Sequence, residues 1–506
     1  MTHKLSSNIS LFINFSFVFG LSVHASDIAV PNGGNVQAAI NSALPGDTIT
    51  LAAGAVFAGQ FSFPEKTGTG WITVRSSQYA RLPALKRVGP SQTSLMPVLQ
   101  AVGSNTPITF STRSHHWKLI GIEIRSDVGI YNYDLMRIGD GYQSTVADLP
   151  HDIVIDRCYI HGDATAGSKR AIALNGAAIT VRDSYIANIF SDVQETQGML
   201  GWNGTGPILI ENNHIEAAGL GLMFGGATPS ITNLVPAGIV VSHNHFLKPL
   251  AWKTLNLIVK HHFELKNGRN ILFTGNVLEN DWHPSVRGTA IMLTVRTEAG
   301  GAPWAVVEDV KIIGNIIRNA GSGITVSGFD DSSNAGATRR ILIQDNLLIG
   351  IDQANSDPNF WGRGAFLFLV HHPVDIWANH NTVLSQGLTL VDLDYEPGSG
   401  LRLENNVFQS NTLGIYGAGV GSGTIALNAY QSTWSMKGNV MQGGLAAENP
   451  PNNSFPIALT DVGFTNMAGG DYSIAPSSPY YRKATDGKNP GADMNLINRT
   501  TSGVVQ

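Results

Sequence analysis

One eight-residue pattern recurs along this chain and limits the folds open to it. Each copy has an apolar, polar, apolar triplet, two mostly polar residues, usually a small or amide residue, and two residues ending apolar. Eleven copies occur, and their sixth positions fall at residues 122, 158, 184, 213, 244, 276, 315, 346, 381, 406 and 439, a mean step of 31.7 residues. Such a period, in copies rich in β-branched residues and without helical periodicity, predicts a β-solenoid.

Asparagine occupies the sixth position in the last eight copies, which are Asn213, Asn244, Asn276, Asn315, Asn346, Asn381, Asn406 and Asn439. Stacked coils place equivalent residues about 4.8 Å apart, the spacing of neighbouring strands. At that spacing each side-chain amide can donate to the amide carbonyl of the next coil. We therefore predict a continuous asparagine ladder. Cys158 has the same position in an earlier copy, which predicts a buried, unreactive thiol.

These repeats resemble those of the pectin-lyase-like superfamily over roughly residues 27–490. The resemblance implies an all-β chain folded as a single right-handed parallel β-helix of about eleven or more coils. Residues 35–43 read as a short amphipathic helix before a strand at 47–51, a pair that caps the helix in that superfamily. The predicted organisation is a signal peptide at 1–25, an N-terminal cap and first strand at 26–60, the β-helix at 61–445, and an irregular excursion with a closing segment at 446–506.

Composition restricts the location and the partners. Lys4 precedes an uncharged apolar stretch, and the residues 23–25 (Val-His-Ala) fit a signal-peptide cleavage site, so we expect a secreted or periplasmic protein. No later run reaches the ~18 apolar residues of a membrane span. The net charge of −5 and the lack of basic runs argue against binding to nucleic acid. The single cysteine excludes an internal disulfide, and we expect a monomer.

A second strand precedes each ladder position, and its last residue is polar or glycine. By strand alternation that residue points outward. On consecutive coils these residues form a predicted outward stripe of Asn203, Gly225, Lys266, Arg296, Ser327, His371 and Asp392. Because the chain has only 32 lysines and arginines in 506 residues, two cations on adjacent coils favour a functional groove. A solvated strand surface is the alternative.

β-Elimination on a uronic-acid polysaccharide suits such a groove. The reaction needs neutralisation of the sugar carboxylate, a base for the proton beside it, and a donor for the leaving oxygen. Lys266 is the predicted base, since a neighbouring guanidinium favours a neutral amine, and Arg296 is the predicted partner of the carboxylate. The predicted substrate-binding residues are Glu264, Asn203, His371, Asp392 and Trp282.

Two short segments carry a closer resemblance. Residues 264–270 (ELKNGRN) and 293–296 (LTVR) are similar to the lysine and arginine strands of the alginate-lyase and chondroitinase-B type lyases. The resemblance implies a lyase for an anionic polysaccharide, with Lys266 and Arg296 as catalytic residues. In those lyases calcium-binding carboxylates lie five and seven residues before the lysine, where this chain has His261 and Val259. Calcium therefore stays an open cofactor, and no metal ligand is assigned.

Three other functions remain open, because this fold serves many activities. A uronate epimerase begins with the same proton abstraction as a lyase. A non-catalytic glycan-binding or surface β-helix would use the stripe only to attract polyanions. A glycoside hydrolase needs two carboxylates flanking the bond, for which Asp330 and Asp331 with Asp392 or Glu298 are the candidates.

Aromatic and histidine residues offer less specific signals. Four tryptophans lie between predicted strands, where they could stack on sugars or pack on the barrel: Trp252, Trp282, Trp304 and Trp361. Four histidines could suggest zinc or copper, but strand alternation aims the two pairs differently: His243, His245, His261 and His262. Histidines of loops and strand edges are the simpler interpretation.

Overall fold

Three long sheets of parallel strands wind around one apolar core. The computed structural model describes residues 25–282, 288–330, 336–355 and 363–505. Each coil contributes one strand to sheet 1, then one to sheet 2 and one to sheet 3, before the chain returns to sheet 1. This is a right-handed parallel β-helix and confirms the predicted fold class. The predicted signal peptide covers residues 1–25, of which 1–24 lie outside the described residues, and it stays a prediction.

The strands of each sheet are short and stack in chain order. Sheet 1 has fourteen strands: Asp27–Val30, Thr48–Leu51, Ile72–Ser76, His115–Ile120, His151–Asp156, Ala177–Arg182, Ile208–Glu211, Ala237–Ser242, Gly268–Thr274, Val307–Ile313, Thr338–Gln344, Val374–Asn379, Leu401–Glu404 and Trp434–Lys437. Sheet 2 has thirteen: Val56–Ala58, Val98–Gln100, Glu123–Arg125, Tyr159–His161, Tyr185–Ile189, His214–Ala217, His245–Leu247, Val277–Asp281, Ile316–Ala320, Leu347–Asp352, Thr382–Gln386, Val407–Gln409 and Val440–Gln442. Sheet 3 also has thirteen: Phe61–Phe63, Ile108–Phe110, Asn132–Ile138, Ser168–Leu174, Gln197–Gly201, Leu220–Phe224, Phe263–Leu265, Thr289–Thr294, Ser322–Ser327, Leu367–Val370, Val391–Asp394, Ile415–Gly417 and the antiparallel Gly421–Ser422.

The described residues form three α-helices: one at the N-terminal end of the solenoid, one near its C-terminal end, and one in the C-terminal tail, packed on coils in the middle. The α-helices are Val36–Ser42 (α1), Thr424–Tyr430 (α2) and Met494–Thr501 (α3). Single 3-10 turns occupy Tyr79–Arg81, Pro90–Leu95, Val146–Asp148, Leu250–Thr254, Glu298–Gly300, Gln353–Asn355, Leu459–Val462 and Met467–Gly469, and a small antiparallel pair joins Phe464–Asn466 to Asp471–Ile474. Helix α1 lies where its pattern predicts it, and Asn35 caps it by accepting a hydrogen bond from the Ala38 N–H. Within the described ranges no helix is long and apolar enough to cross a bilayer.

The asparagine ladder is confirmed along its whole predicted length. From Asn213 to Asn439 each side-chain NH₂ donates to the Oδ1 of the next ladder residue at 2.9–3.1 Å. The backbone N–H of each residue donates to the same oxygen, and the second amide hydrogen bonds a backbone carbonyl, as Asn315 does with Phe273 O. Every polar atom of the ladder is therefore paired inside the core, as burial requires.

Residues outside the asparagine repeat close the ladder at both ends. After Asn439 the acceptor is Asn453, which belongs to the irregular excursion rather than to a coil. Before Asn213 the Ser184 N–H donates to Asn213 Oδ1, and Ser184 Oγ accepts from the Cys158 N–H at 3.0 Å. Burial raises the pKa of Cys158 to about 12, so its thiol is buried and unreactive, as predicted.

A C-terminal tail runs back over the solenoid, against the direction in which the coils grow. The Thr485 N–H donates to Asn405 Oδ1 at 2.8 Å, and further on the Ala492 N–H donates to Thr382 Oγ1 at 3.0 Å. Farther along, the Thr500 carbonyl accepts from His243. Arg87 lies in the loop between the strands Ile72–Ser76 and Val98–Gln100, and this loop reaches later coils, because Arg87 donates to the carbonyls of Asn212 and His243. At that place Arg87 also donates to the Val504 carbonyl at 2.8 Å. The tail therefore contacts coils from Asn405 back to His243, and its end meets the loop that carries Arg87.

The side chain of Lys248 is fully buried. Because of this burial, we expect the free energy of unfolding to depend on pH. Its Nζ donates to three backbone carbonyls and lies 4.0 Å from Asp281, and burial lowers its pKa to about 8. An unfolded lysine titrates near 10.4, so between pH 8 and 10 the unfolded state binds more protons and the free energy of unfolding rises with pH. We expect a rise of about 2 kcal/mol between pH 7.5 and 9.5, measured by urea unfolding at pH 7.5, 8.5 and 9.5.

Two variants test the assignment of this rise. Lys248→Met should flatten the pH profile, because it removes the titrating group. Lys311→Met changes an exposed lysine on the outer surface of sheet 1 and should leave the profile as it is in the original protein. An equal rise in the Lys248 variant would show that another group produces it.

Candidate functional site

Lys266 and Arg296 lie on adjacent coils at the corner where sheet 3 ends. Lys266 follows the strand Phe263–Leu265 directly, and Arg296 lies two residues beyond the strand Thr289–Thr294. The Arg296 N–H donates to the Lys266 carbonyl at 3.1 Å. The adjacency expected from the sequence is therefore present in the backbone.

The prediction of a straight outward stripe is wrong, because its residues do not occupy the same register position on successive strands of sheet 3. Strand pairing aligns Leu265 with Leu293, so Lys266 is level with Thr294 and Arg296 lies two residues farther along. It puts Asp392 in the row of Glu264, four coils away, and His371 one residue beyond its own strand. Alternation tells which side of a strand a residue faces but not its level on the sheet. Because the strands end at different levels, their last polar residues do not form one line.

Glu264 holds the side chain of Lys266 against the sheet. Lys266 Nζ lies 3.2 Å from Glu264 Oε1, and the exposed fractions of the two side chains are 12% and 5%. The other carboxylate oxygen of Glu264 is buried and has no hydrogen-bond partner. Burying a carboxylate with an unpaired oxygen lowers the stability of a protein unless a cation is nearby. The pair is therefore a small, mostly desolvated charge centre with one open acceptor.

A second charge pair, not found from the sequence, lies beside the first. Lys260 Nζ donates to Glu195 Oε2, and Gln197 donates to the other oxygen of Glu195 at 3.0 Å. Burial raises the pKa of Glu195, but the Lys260 ammonium and, farther away, that of Lys266 outweigh burial and leave the pKa below its ordinary value. Glu195 is therefore an anion at neutral pH. Both residues precede their strands, where the repeat pattern gives no signal.

Arg296 points into a more open region. Half of its side chain is exposed, and its NH1 lies 3.2 Å from Asp330 Oδ2. The neighbouring Phe329 ring packs at 5.3 Å from the ring of His371, which stacks on Tyr395 at 4.4 Å. His371 thus contacts the residue that precedes Asp330 in sequence, its Nδ1 lies 2.8 Å from Glu396 Oε2, and the exposed Tyr395 ring covers it. This aromatic group was not foreseen, because Phe329 and Tyr395 lie in turns.

Three predicted substrate-binding residues lie apart from this group. Asn203 is fully buried, donates to Gln143 O at 2.9 Å and accepts from the Ile231 N–H. Asp392 is buried in an ion pair with Arg363 at 3.1 Å. Trp282 packs with Phe190 and Trp252 beside the barrel, at the corner that leads into sheet 3. These three side chains make structural contacts, and only Glu264 and His371 of the five accompany the two cations.

The residues around Lys266 do not fit calcium. Calcium takes six or more oxygen ligands, but both oxygen-rich side chains here are ion-paired, Glu264 with Lys266 and Glu195 with Lys260. His261 is buried and neutral, since burial lowers its pKa, and its Nδ1 donates to the Thr289 carbonyl at 2.7 Å.

The four histidines considered from the sequence make separate contacts. His243 bonds the tail at Thr500, and His245 bonds Glu279 at 3.1 Å on sheet 2. His261 and His262 are fully buried, and each bonds a backbone carbonyl. Of the other sequence candidates, Asp331 and Trp361 lie outside the described residues.

Comparison with known proteins shows that the fold of this chain is similar to those of solved structures. No family model matches the chain, and no curated protein matches its sequence. The solved structure of the PL6 family alginate lyase AlyGC has a TM-score of 0.51 at 13% identity, over 95% of this chain and 59% of that chain. A mannuronic acid specific polysaccharide family 6 lyase from human gut microbiota has a TM-score of 0.46 at 12% identity, over 89% of this chain and 92% of that one.

The chain thus spans 59% of the length of AlyGC. At identities this low the likeness concerns the fold, and the chemistry must be argued from the side chains. The right-handed parallel β-helix that the expected resemblance implied is confirmed.

Proposed function

We propose that this protein is an exported, carbohydrate-active enzyme that cleaves a uronic-acid polysaccharide by β-elimination. The observation that carries the proposal is the placement of two cations on adjacent coils: Lys266, almost desolvated beside Glu264, and Arg296, half exposed. The Lys266 ammonium is held in place by Glu264, as a base for proton abstraction must be. The Arg296 guanidinium is exposed enough to bind a carboxylate. The lyase fold of the structural neighbours is compatible with this use.

Arg296 binds the carboxylate of the sugar in this proposal. A guanidinium can form two parallel hydrogen bonds to a carboxylate, and the exposed Arg296 can exchange Asp330 for the substrate. Neutralising that carboxylate makes the adjacent C–H more acidic and stabilises the charge that develops when the proton leaves. The stacked rings of His371 and Tyr395 supply a neighbouring surface against which a sugar face can pack.

Lys266 takes the proton, and Glu264 prepares it to do so. Substrate bound over the corner removes the remaining water, and desolvation disfavours separated charges. The proton of the Lys266 ammonium can then pass to Glu264 at 3.2 Å, which leaves a neutral amine as the base. As the C–O bond breaks, the protonated amine can return its proton to the leaving oxygen.

The proposed activity predicts an unsaturated uronate product. Purified protein is incubated with alginate, pectate, chondroitin sulfate and heparan sulfate, each with calcium and with EDTA, and absorbance near ~235 nm is followed, since the new double bond lies beside a carboxylate. We expect absorbance to rise with one of these polymers and to be insensitive to EDTA. No rise on any of the four would contradict the proposal.

Arg296→Ala should weaken substrate binding more than turnover. We expect kcat/KM to fall about 10–100-fold, mainly through KM, because an interaction with the ground-state carboxylate is lost. Arg296→Lys should recover only part of this loss, since an ammonium cannot form the bidentate pair. Arg339→Ala is the matched control: its side chain is similarly exposed, at 46%, and is ion-paired with Glu308 on sheet 1. Equal effects of the Arg296 and Arg339 changes would show a general charge effect.

One observation favours a second candidate, a glycoside hydrolase. Glu264 has a buried oxygen without a partner, as a general acid facing a glycosidic oxygen would have, and Glu195 is a nearby anion. Release of reducing ends without absorbance near ~235 nm would favour this candidate. Binding without any product, or inversion of a uronate without chain cleavage, would indicate a binding protein or an epimerase.

A further inference from the structure

Two neighbouring strands of sheet 1, His115–Ile120 and His151–Asp156, bring four metal-ligating side chains together at their first two positions. His115 pairs in register with His151, and the next residues, His116 and Asp152, occupy equivalent positions. Parallel strands lie about 4.8 Å apart, so the fold sets these residues in a two-by-two square. This group differs from the four histidines that the sequence suggested as metal ligands.

Distances within the square are short enough for one ion. The ligand atoms of His116, His151 and Asp152 all lie within 4.8 Å of one another, and these three form the one such group among the described residues. Three atoms at that outer limit would lie about 2.8 Å from an ion at their centre. Zinc bonds to nitrogen and oxygen are about 2.0–2.2 Å long, so movements of less than ~1 Å per side chain suffice.

Neighbouring contacts hold the square together. His151 Nδ1 lies 2.7 Å from Asp152 Oδ2, and His115 Nδ1 lies 2.8 Å from His116 Nδ1. The rings of His115 and His151 stack at 4.9 Å, and Trp71 packs beside His116 at 5.2 Å. The side chains are half-buried, so each keeps limited freedom and a path to solvent remains.

We propose that His116, His151 and Asp152 bind a divalent transition metal of the zinc type. Two imidazoles and one carboxylate are a donor set that zinc takes, with water or His115 as the fourth ligand. Nitrogen donors disfavour calcium and magnesium, which take oxygen. The square lies four coils before Lys266, about 19 Å along the axis, so the ion joins two coils and takes no part in the proposed reaction.

The experiment uses the full-length protein after EDTA treatment and dialysis. Titration calorimetry with ZnCl₂ alone should give one equivalent bound, and Co²⁺ should give the visible absorption of a low-coordinate site. The melting temperature should rise with Zn²⁺, because an ion that binds only the folded state stabilises it, and should not rise with Ca²⁺. No saturable zinc binding, or an equal effect of Ca²⁺, would overturn the proposal.

Variants assign the site. His116→Ala, His151→Ala and Asp152→Asn should each weaken zinc binding at least tenfold, since changes even to outer-shell partners of metal ligands cost 10–100-fold. His372→Ala removes a histidine from an exposed turn elsewhere and should bind zinc unchanged. If an alanine variant fails to fold, His116→Gln or His151→Gln is measured instead. Unchanged zinc affinity in the folded variants would place the ion elsewhere and refute the assignment.

Discussion

Lys266→Arg is expected to abolish β-elimination and to leave the fold intact, with a fall in kcat of about 10²–10⁴-fold, the usual contribution of a general base. Arginine keeps the positive charge and can keep the ion pair with Glu264, but its guanidinium does not give up its proton at working pH. The substitution therefore removes the base while keeping the charge. Initial rates near ~235 nm on the polymer that the protein cleaves measure the effect.

The control for this prediction is Lys311→Arg, the same change at an exposed lysine on the outer surface of sheet 1. It should keep the original rate. Polymer binding by the Lys266 variant, measured by calorimetry, should also remain near the original affinity. Retention of kcat by Lys266→Arg would show that the residue acts only through its charge and that the base lies elsewhere.

Asn315→Ala should remove most of the contribution that a single ladder asparagine makes to the free energy of unfolding. The change removes the acceptor for both the N–H and the side-chain NH₂ of Asn276, and the donor to Phe273 O. Each buried polar group left without a partner costs about 1–3 kcal/mol. We expect a loss of about 3 kcal/mol or more in the free energy of unfolding, measured by urea denaturation.

Asn315→Ser gives a graded comparison, because Ser184 already accepts a ladder bond from a backbone N–H through its hydroxyl. The serine variant should therefore lose less stability than the alanine variant. Asn498→Ala, on the exposed surface of α3, is the matched control and should change stability by less than about 0.5 kcal/mol. A serine variant as unstable as the alanine variant would show that volume, not hydrogen bonding, decides the cost.

The fold could be predicted because equivalent residues recur along the sequence, once in every coil. Asn244 and Asn276 have the same position in successive repeats, so they are expected to be neighbours whatever the shape of the turns between them. The ends of the ladder could not be predicted in this way. Asn453 lies in a segment without the repeat, and only the path of the chain brings its amide to Asn439.

The candidate site could be predicted only in part, because it depends on register and on turns. Lys266 and Arg296 were found because their strands carry a recognisable pattern, and their coils are adjacent in any β-helix. Asp392 was misplaced because the distance of a polar residue from its strand differs between coils. Glu195 and Lys260 meet through a turn whose shape has no periodic signal.

The C-terminal tail should change how this solenoid unfolds. Coils of a repeat protein contact only their neighbours, so such proteins can fray from one end, coil by coil. Here the segment from Thr485 to Val504 is bonded to coils as distant as those of Asn405 and His243, and to the loop that carries Arg87. The last coils cannot separate without first detaching the tail from the coils that precede them. Unfolding should therefore be a single cooperative event over the coils that the tail crosses.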